Sequence, residues 1–268
     1  MKLIAGLIVA LVAGICFSYS YVGQHLVAAN LERFDLRRPF VNLRQLVTNF
    51  RWMVAWLSGW VGWGFYILAL ALAPLSLVQA ITAGGIGMLA LGSHFFVTPL
   101  RVLERRAAYV ATAGLVLVAT SVRAHGQSHP VSLHALEFTV ITGLGIALLC
   151  VLVSRRIGLA IASGICYGVG DVATKGAFSG VPILIVFVIA AYVAGFATLQ
   201  FAFQRSSLLV SGGLSFLFSN VIPLACGVLL FGERPQGTAA TVLRYSGFVV
   251  VILGAVAIST TAGSKESS

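Results

Sequence analysis

Nine apolar runs follow one another along this chain with little polar sequence between them: 3–23, 52–73, 75–97, 107–122, 136–153, 157–177, 182–203, 207–231 and 243–260. In hydrocarbon every backbone N–H and C=O must be paired within the protein, and a helix of about 20 apolar residues pairs them all while crossing the bilayer core. The runs therefore predict an all-α polytopic membrane protein with nine transmembrane helices. Composition agrees, because 59% of residues are hydrophobic and only 9% are charged, against about 25% charged in soluble domains. No stretch is left over to build a soluble catalytic unit. The first run follows Met1-Lys2, is long for a signal peptide and lacks a clear small-residue cleavage site, so it reads as a span.

The one long connection, 24–51, carries Leu43, Leu46, Val47 and Phe50 at helical spacing after Pro39, with Arg44 and Arg51 beside them. It reads equally as a short helix on the membrane surface or as a solvated loop. The last residues, 261–268, are small and polar and read as a disordered tail. The net charge of +10 sits mostly in short loops, where arginines face an anionic leaflet rather than a nucleic acid. On alternate sides, one face collects twelve basic residues (Arg33, Arg37, Arg38, Arg44, Arg51, Arg101, Arg105, Arg106, Arg155, Arg156, Arg205 and Lys265) against five on the other (Lys2, Arg123, Lys175, Arg234 and Arg244). By the positive-inside rule this predicts a multi-pass protein of the cell membrane, N-terminus outside and C-terminus cytoplasmic. Cys16, Cys150, Cys166 and Cys226 all lie in apolar runs, where a thiol packs as a small hydrophobe.

Comparison of the two halves shows a weak internal repeat. Ala13-Gly14-Ile15-Cys16-Phe17-Ser18 aligns with Ser163-Gly164-Ile165-Cys166-Tyr167-Gly168. Gly64-Phe65, Leu68, Ala71, Ser76 and Leu77 align with Gly195-Phe196, Leu199, Ala202, Ser207 and Leu208. Spans one to four thus correspond to six to nine. Five spans separate equivalents, so each crosses opposite to its partner, as in inverted-topology repeats. The expected organisation is a first four-helix repeat over 1–122, containing the interfacial linker 24–51, a linker and fifth span over 123–156, a second repeat over 157–260, and the tail 261–268.

Several short motifs carry a family resemblance: Gly64-Phe65, Ala71-Leu72-Ala73-Pro74-Leu75-Ser76-Leu77-Val78, Thr174-Lys175-Gly176, Leu199-Gln200-Phe201-Ala202-Phe203-Gln204-Arg205 and Leu230-Phe231-Gly232-Glu233. Together they resemble the drug/metabolite transporter superfamily (EamA-like) and, within it, the NIPA-type magnesium transporters. The resemblance implies alternating access around a central cavity lined mainly by spans one, three, six and eight. Nine spans with the N-terminus outside is similar to the NIPA-type arrangement. Ten-span relatives place both termini inside, and the missing tenth span argues against a metabolite exporter.

Ionisable groups within a bilayer are costly and mark functional sites by default. Asp171 and Lys175 lie one turn apart on span six, either as part of a substrate path or as an ion pair whose lysine snorkels to the interface. Span eight carries Ser207, Ser211, Ser215 and Ser219 four apart, then Asn220 and Pro223. Those hydroxyls either line a polar path or bond the preceding helical turn, and Pro223 frees a carbonyl. Gln79, Gln200 and Gln204 are neutral polar candidates. Gly6, Ala10, Gly14 and Ser18, and likewise Ala160, Gly164 and Gly168, place small residues every four positions, a pattern that lets helices approach closely. Glu137 and His94 read as interfacial, and His125, His129 and His134 lack the acidic or thiolate company of a metal site.

These features predict a secondary transporter or facilitator moving a small solute or cation, magnesium among the candidates, and no cofactor. The expected partners are the lipid bilayer and that solute, with a homodimer left open and no nucleic acid. A non-transporting scaffold or partner subunit is the alternative. A membrane enzyme fits poorly, because the seven acidic residues are scattered and no phosphate-binding glycine loop is present.

Overall fold

The structure is a computed structural model that describes residues 2–35, 37–72, 78, 81–82, 84–97, 99–121, 133–178, 184–230 and 237–263. Among these the secondary structure is helical throughout, with no strand. The elements are α1 (Lys2–Ala28), α2 (Pro39–Val47), α3 (Phe50–Leu72), α4 (Gly85–Gly92) continued by a π-helical turn (Ser93–Val97), α5 (Val102–Thr120), α6 (Leu133–Val153), α7 (Ile157–Phe178), α8 (Leu184–Phe203), a π-helical turn (Leu209–Gly213) leading into α9 (Leu214–Leu229), and α10 (Thr238–Gly263).

Local chemistry sets several of these boundaries. Pro39 opens α2, where its fixed φ suits a first turn and its missing N–H is not needed. Before α5, the Arg101 N–H donates to Glu104 at 2.8 Å and the Leu100 N–H to His94 Nδ1 at 2.9 Å. These bonds satisfy donors the helix leaves open, and they give His94 a structural role. The Ile157 N–H donates to Ser154 Oγ at 3.3 Å at the head of α7.

Among the described residues six helices are long and apolar enough to cross a membrane: α1, α3, α6, α7, α8 and α10. The other three expected spans behave differently. The helical stretches Gly85–Val97 and Leu209–Pro223 are apolar but short, and α5 opens with Glu104-Arg105-Arg106. The linker 24–51 contains the helix α2, of which Leu46 is buried while Phe40, Val41, Leu43 and Val47 are exposed. The stretch read as the tail is still helical up to Gly263; residues 264–268 lie outside the described part.

The central element is α7, with 72% of its apolar window buried, against 33% for α1 and 17% for α6. It packs on α6, α8 and α9, while α1 packs on α3 and α4, and α5 pairs with α10. Glycines set the closest approaches. A Cβ on Gly164 would sit 2.5 Å from the Ser215 carbonyl oxygen and 2.6 Å from Phe218 Cβ, and one on Gly168 2.8 Å from Ile222 Cβ. At the α5–α10 crossing, a Cβ on Gly114 would sit 2.6 Å from the Val251 nitrogen and one on Gly254 2.7 Å from Ala111 Cα. Large apolar side chains such as Trp60, Trp63, Leu148 and Ile189 cover the outside, as a bundle solvated by lipid requires.

Candidate functional site

Among the described residues two polar clusters each join three or more elements of the apolar interior. The first is built on α7. Its residues Gly170, Val172 and Ala173 are buried, yet Asp171 between them keeps exposed surface. Tyr192 of α8 donates its hydroxyl to Asp171 Oδ1. The Tyr192 ring lies against Tyr167, one turn before Asp171, with centroids 5.8 Å apart and planes at 54°. Tyr21 of α1 completes the group: it stands edge-on to Phe203 and Phe216 at 6.2 and 6.3 Å, on the side of Ser215. Ser215 in turn lies 2.9 Å from Ser163, whose hydroxyl donates to the Gly195 carbonyl at 2.8 Å. A carboxylate, three phenols and two hydroxyls thus run across α1, α7, α8 and α9. These are oxygen ligands for a cation and hydrogen-bonding groups for a polar solute.

The second cluster joins α1 and α3 to the last turns of α8. Gln200 donates to Gln24 Oε1 at 2.8 Å, Gln24 donates to Ser20 Oγ at 2.8 Å, and Trp52 Nε1 donates to Gln200 Oε1 at 3.3 Å. Gln24 is 6% exposed, Gln200 2% and Trp52 1%. His25 is equally buried, edge-on to Phe203 at 5.4 Å, and its Nδ1 has no hydrogen-bond partner among the described residues. Gln204 ties the linker down: its amide donates to the Ala28 and Glu32 carbonyls at 3.1 and 2.9 Å and its Oε1 accepts the Phe34 N–H at 2.9 Å.

The residues expected from sequence to form a path are divided by these contacts. Asp171 and Ser215 belong to the first cluster and Gln200 to the second. Ser211 donates to the Ser207 carbonyl at 2.8 Å, and Ser219 and Asn220 both donate to the Phe216 carbonyl at 2.9 and 2.8 Å. They close their own helix turns beside Pro223, which lies inside α9, rather than reaching across. Gly164 and Gly168 form the α7–α9 contact, whereas Gly14 meets only the flexible Met88 thioether, at 3.4 Å; Gly6 is buried in α1. Gln79, His125, His129 and the side chain of Lys175 lie outside the described residues. His134 and Glu137 approach to 3.6 Å at the start of α6. Among the described residues no three His, Cys, Asp or Glu side chains gather as a metal centre.

Sequence reasoning missed Tyr21, Tyr167, Tyr192, Ser163 and Gln24. Tyr167 lay within the repeat match, and the same alignment sets Tyr21 opposite Asp171; Tyr192 gave no signal beyond a single phenol in an apolar helix. Beyond the spans, Arg205 follows α8 with its guanidinium 5.4 Å over the Phe201 ring. Partial burial, then the like charges of Arg155 and Arg33, hold its pKa below the ordinary arginine range. Three arginines from three separate connections therefore meet at one end of the bundle.

The chain is similar to a protein of Arabidopsis thaliana named probable magnesium transporter NIPA9. The two are 24% identical over 250 residues, covering 81% of this chain and 72% of that protein. No family model and no solved structure matches. The chain is a multi-pass membrane protein.

Proposed function

We propose that the protein is a secondary transporter or facilitator of the drug/metabolite type, NIPA-like, that moves a small solute or cation by alternating access, with Asp171 as its binding or protonatable group. The observation that carries this reading is an acidic residue that keeps exposed surface among buried helix neighbours and is hydrogen-bonded by Tyr192. A carboxylate in a membrane bundle is retained against its desolvation cost only where it faces water, a partner or a substrate. Magnesium suits such a site, since it keeps several waters and takes one or two carboxylates. The relative's name points the same way. A proton-coupled or neutral-solute carrier would use the same carboxyl as its protonatable group.

The reading includes nine spans arranged as inverted four-helix repeats about the fifth. In support, packing partners recur in kind: α1 with α3 and α4 in the first half, α7 with α8 and α9 in the second, and α5 with α10 between them. It also places the arginine-rich end in the cytoplasm. Cysteines replacing Arg101 or Arg155 should resist an impermeant thiol reagent in intact cells while one replacing Gln127 is labelled. The reverse pattern would invert the topology.

The function is tested in proteoliposomes carrying a trapped magnesium indicator and, in parallel, a trapped pH indicator. The expected result is flux that Asp171→Asn lowers about tenfold or more at unchanged protein level. Undiminished flux in that variant would remove Asp171 from the mechanism.

A further inference from the structure

The second polar cluster ties α1, α3 and the linker between them to the end of α8. α1 packs mainly on α3 and α4, and α8 mainly on α7. Where α1, its linker and α3 reach α8, the side-chain contacts fall on residues 196–204: Trp52 on Phe196, the Gln24–Gln200 and Trp52–Gln200 bonds, Phe34 on Phe201, Tyr21 and His25 on Phe203, and Gln204 on the linker backbone. All lie at the end where Arg33 and Arg205 meet. In the other polar cluster Asp171 and Tyr192 keep exposed surface, while Ser163 and Ser215 are buried. The Gln24–Gln200 cluster is therefore the more tightly closed of the two.

We infer that Gln24 and Gln200 form a latch between α1 and α8 that closes the arginine-rich end and parts when that end opens. The inference rests on the transporter reading for its place in a cycle, but not for its existence as a contact. The chemistry suits a reversible seal. A pair of amides is satisfied when dry and bonded, and satisfied again when parted and wet; only the half-open state leaves buried groups unpaired. Two well-satisfied end states with a costly middle make a two-state element. An apolar pair would gain nothing from water on opening, and a buried ion pair would pull much harder against it. His25 biases the balance toward opening, because its Nδ1, without a partner among the described residues, gains a hydrogen bond as soon as water enters.

The same chemistry gives the latch a distinctive mutational signature. Replacing one amide by leucine strands its partner in a buried site, whereas replacing both restores a matched, apolar contact. The reporter is Ala28→Cys, a fully buried position beside the latch, in a chain whose four native cysteines are replaced by alanine. Its rate of reaction with a membrane-impermeant maleimide is followed in right-side-out and inside-out vesicles. Gln24→Leu and Gln200→Leu should each accelerate labelling about two- to tenfold, the range set by one net hydrogen bond. The double variant should label as slowly as the parent, or slower, and lose magnesium flux in proteoliposomes. As a second route, bifunctional thiol cross-linking of Gln24→Cys to Gln200→Cys should stop flux, and reductive cleavage should restore it. Unchanged labelling in both single variants overturns the latch, as does wild-type flux in the double variant or the cross-linked pair. If the parent moves no magnesium while the single variants still label faster, the opening stands and magnesium transport falls.

Discussion

The sequence repeat pairs α1 with α7, and the structure gives the two helices different surroundings. α7 runs through the centre of the bundle with most of its surface covered, while two thirds of the apolar window of α1 is uncovered. On α7 the seam glycine Gly164 touches the backbone of α9; its counterpart Gly14 touches one side chain of α4. Where α7 carries Asp171, open to its surroundings, α1 carries Tyr21, and one turn further the sealed pair Gln24 and His25. The contrast has a physical logic. A carboxylate is too costly to enclose without a matching charge, so its helix leaves it an opening. Neutral amides can be enclosed once every donor and acceptor is matched, so they can serve as closure.

The sharpest way to break this comparison is through the two glycines. Gly164→Leu drives a side chain into the Ser215 carbonyl and Phe218 and should cost about 3 kcal/mol, the upper range for overpacking. It should appear as loss of monodisperse protein in detergent. Gly14→Leu meets a flexible methionine end and should cost about 1 kcal/mol, visible as a modest fall in thermal midpoint. Equal losses would mean that α1 and α7 are equally constrained after all.

The next effect in size separates the two polar clusters by function. Asp171→Asn removes the charge that binds or carries a proton, and should lower flux about tenfold or more, since contacts to charged groups are worth about 1.5–3 kcal/mol. Tyr192→Phe keeps the carboxylate but removes its phenol donor, a neutral donor worth about 1 kcal/mol. A several-fold change in apparent substrate affinity, with protein level unchanged, is the expected readout. Equal effects from the two variants would make the tyrosine a ligand in its own right.

How far the sequence reveals these features depends on whether the determining contact is local. Apolar runs are local, and six of the nine contain membrane-length helices among the described residues. The π-helical turns at Ser93–Val97 and Leu209–Gly213 leave no mark on hydropathy, because they change backbone pairing and not side-chain polarity. Serines four apart on span eight have the same spacing whether they line a path or bond their own helix turn. Ser215 turns across to Ser163 because the α7 glycines bring the two helices together, whereas Ser211 and Ser219 bond backwards. Gln200 was visible as a buried polar group, but its partner Gln24 lies 176 residues away and emerges only from tertiary packing. The Gly114–Gly254 crossing was missed for the same reason: a glycine shows that a close approach is possible, not what approaches.

The smallest effect belongs to the sealed end and tests whether its charge matters to closure. Arg205 shares that end with Arg155 and Arg33, and their like charges raise the cost of keeping it protonated. Against that, its guanidinium lies over the Phe201 ring and its Nη1 makes a long, 3.4 Å bond to the Phe201 carbonyl, contacts that Arg205→Gln gives up. Repulsion between exposed charges is screened over about 8 Å at physiological salt, while ring contact is not. At low ionic strength, relief of repulsion should therefore offset the lost contacts and leave the thermal midpoint of the purified protein nearly unchanged, a difference within about 0.5 kcal/mol. At high salt the parent loses its repulsion as well, so Arg205→Gln should become the less stable of the two. A difference that does not vary with salt would show that the three arginines act as independent surface charges, and that the seal rests on the amides and aromatic rings alone.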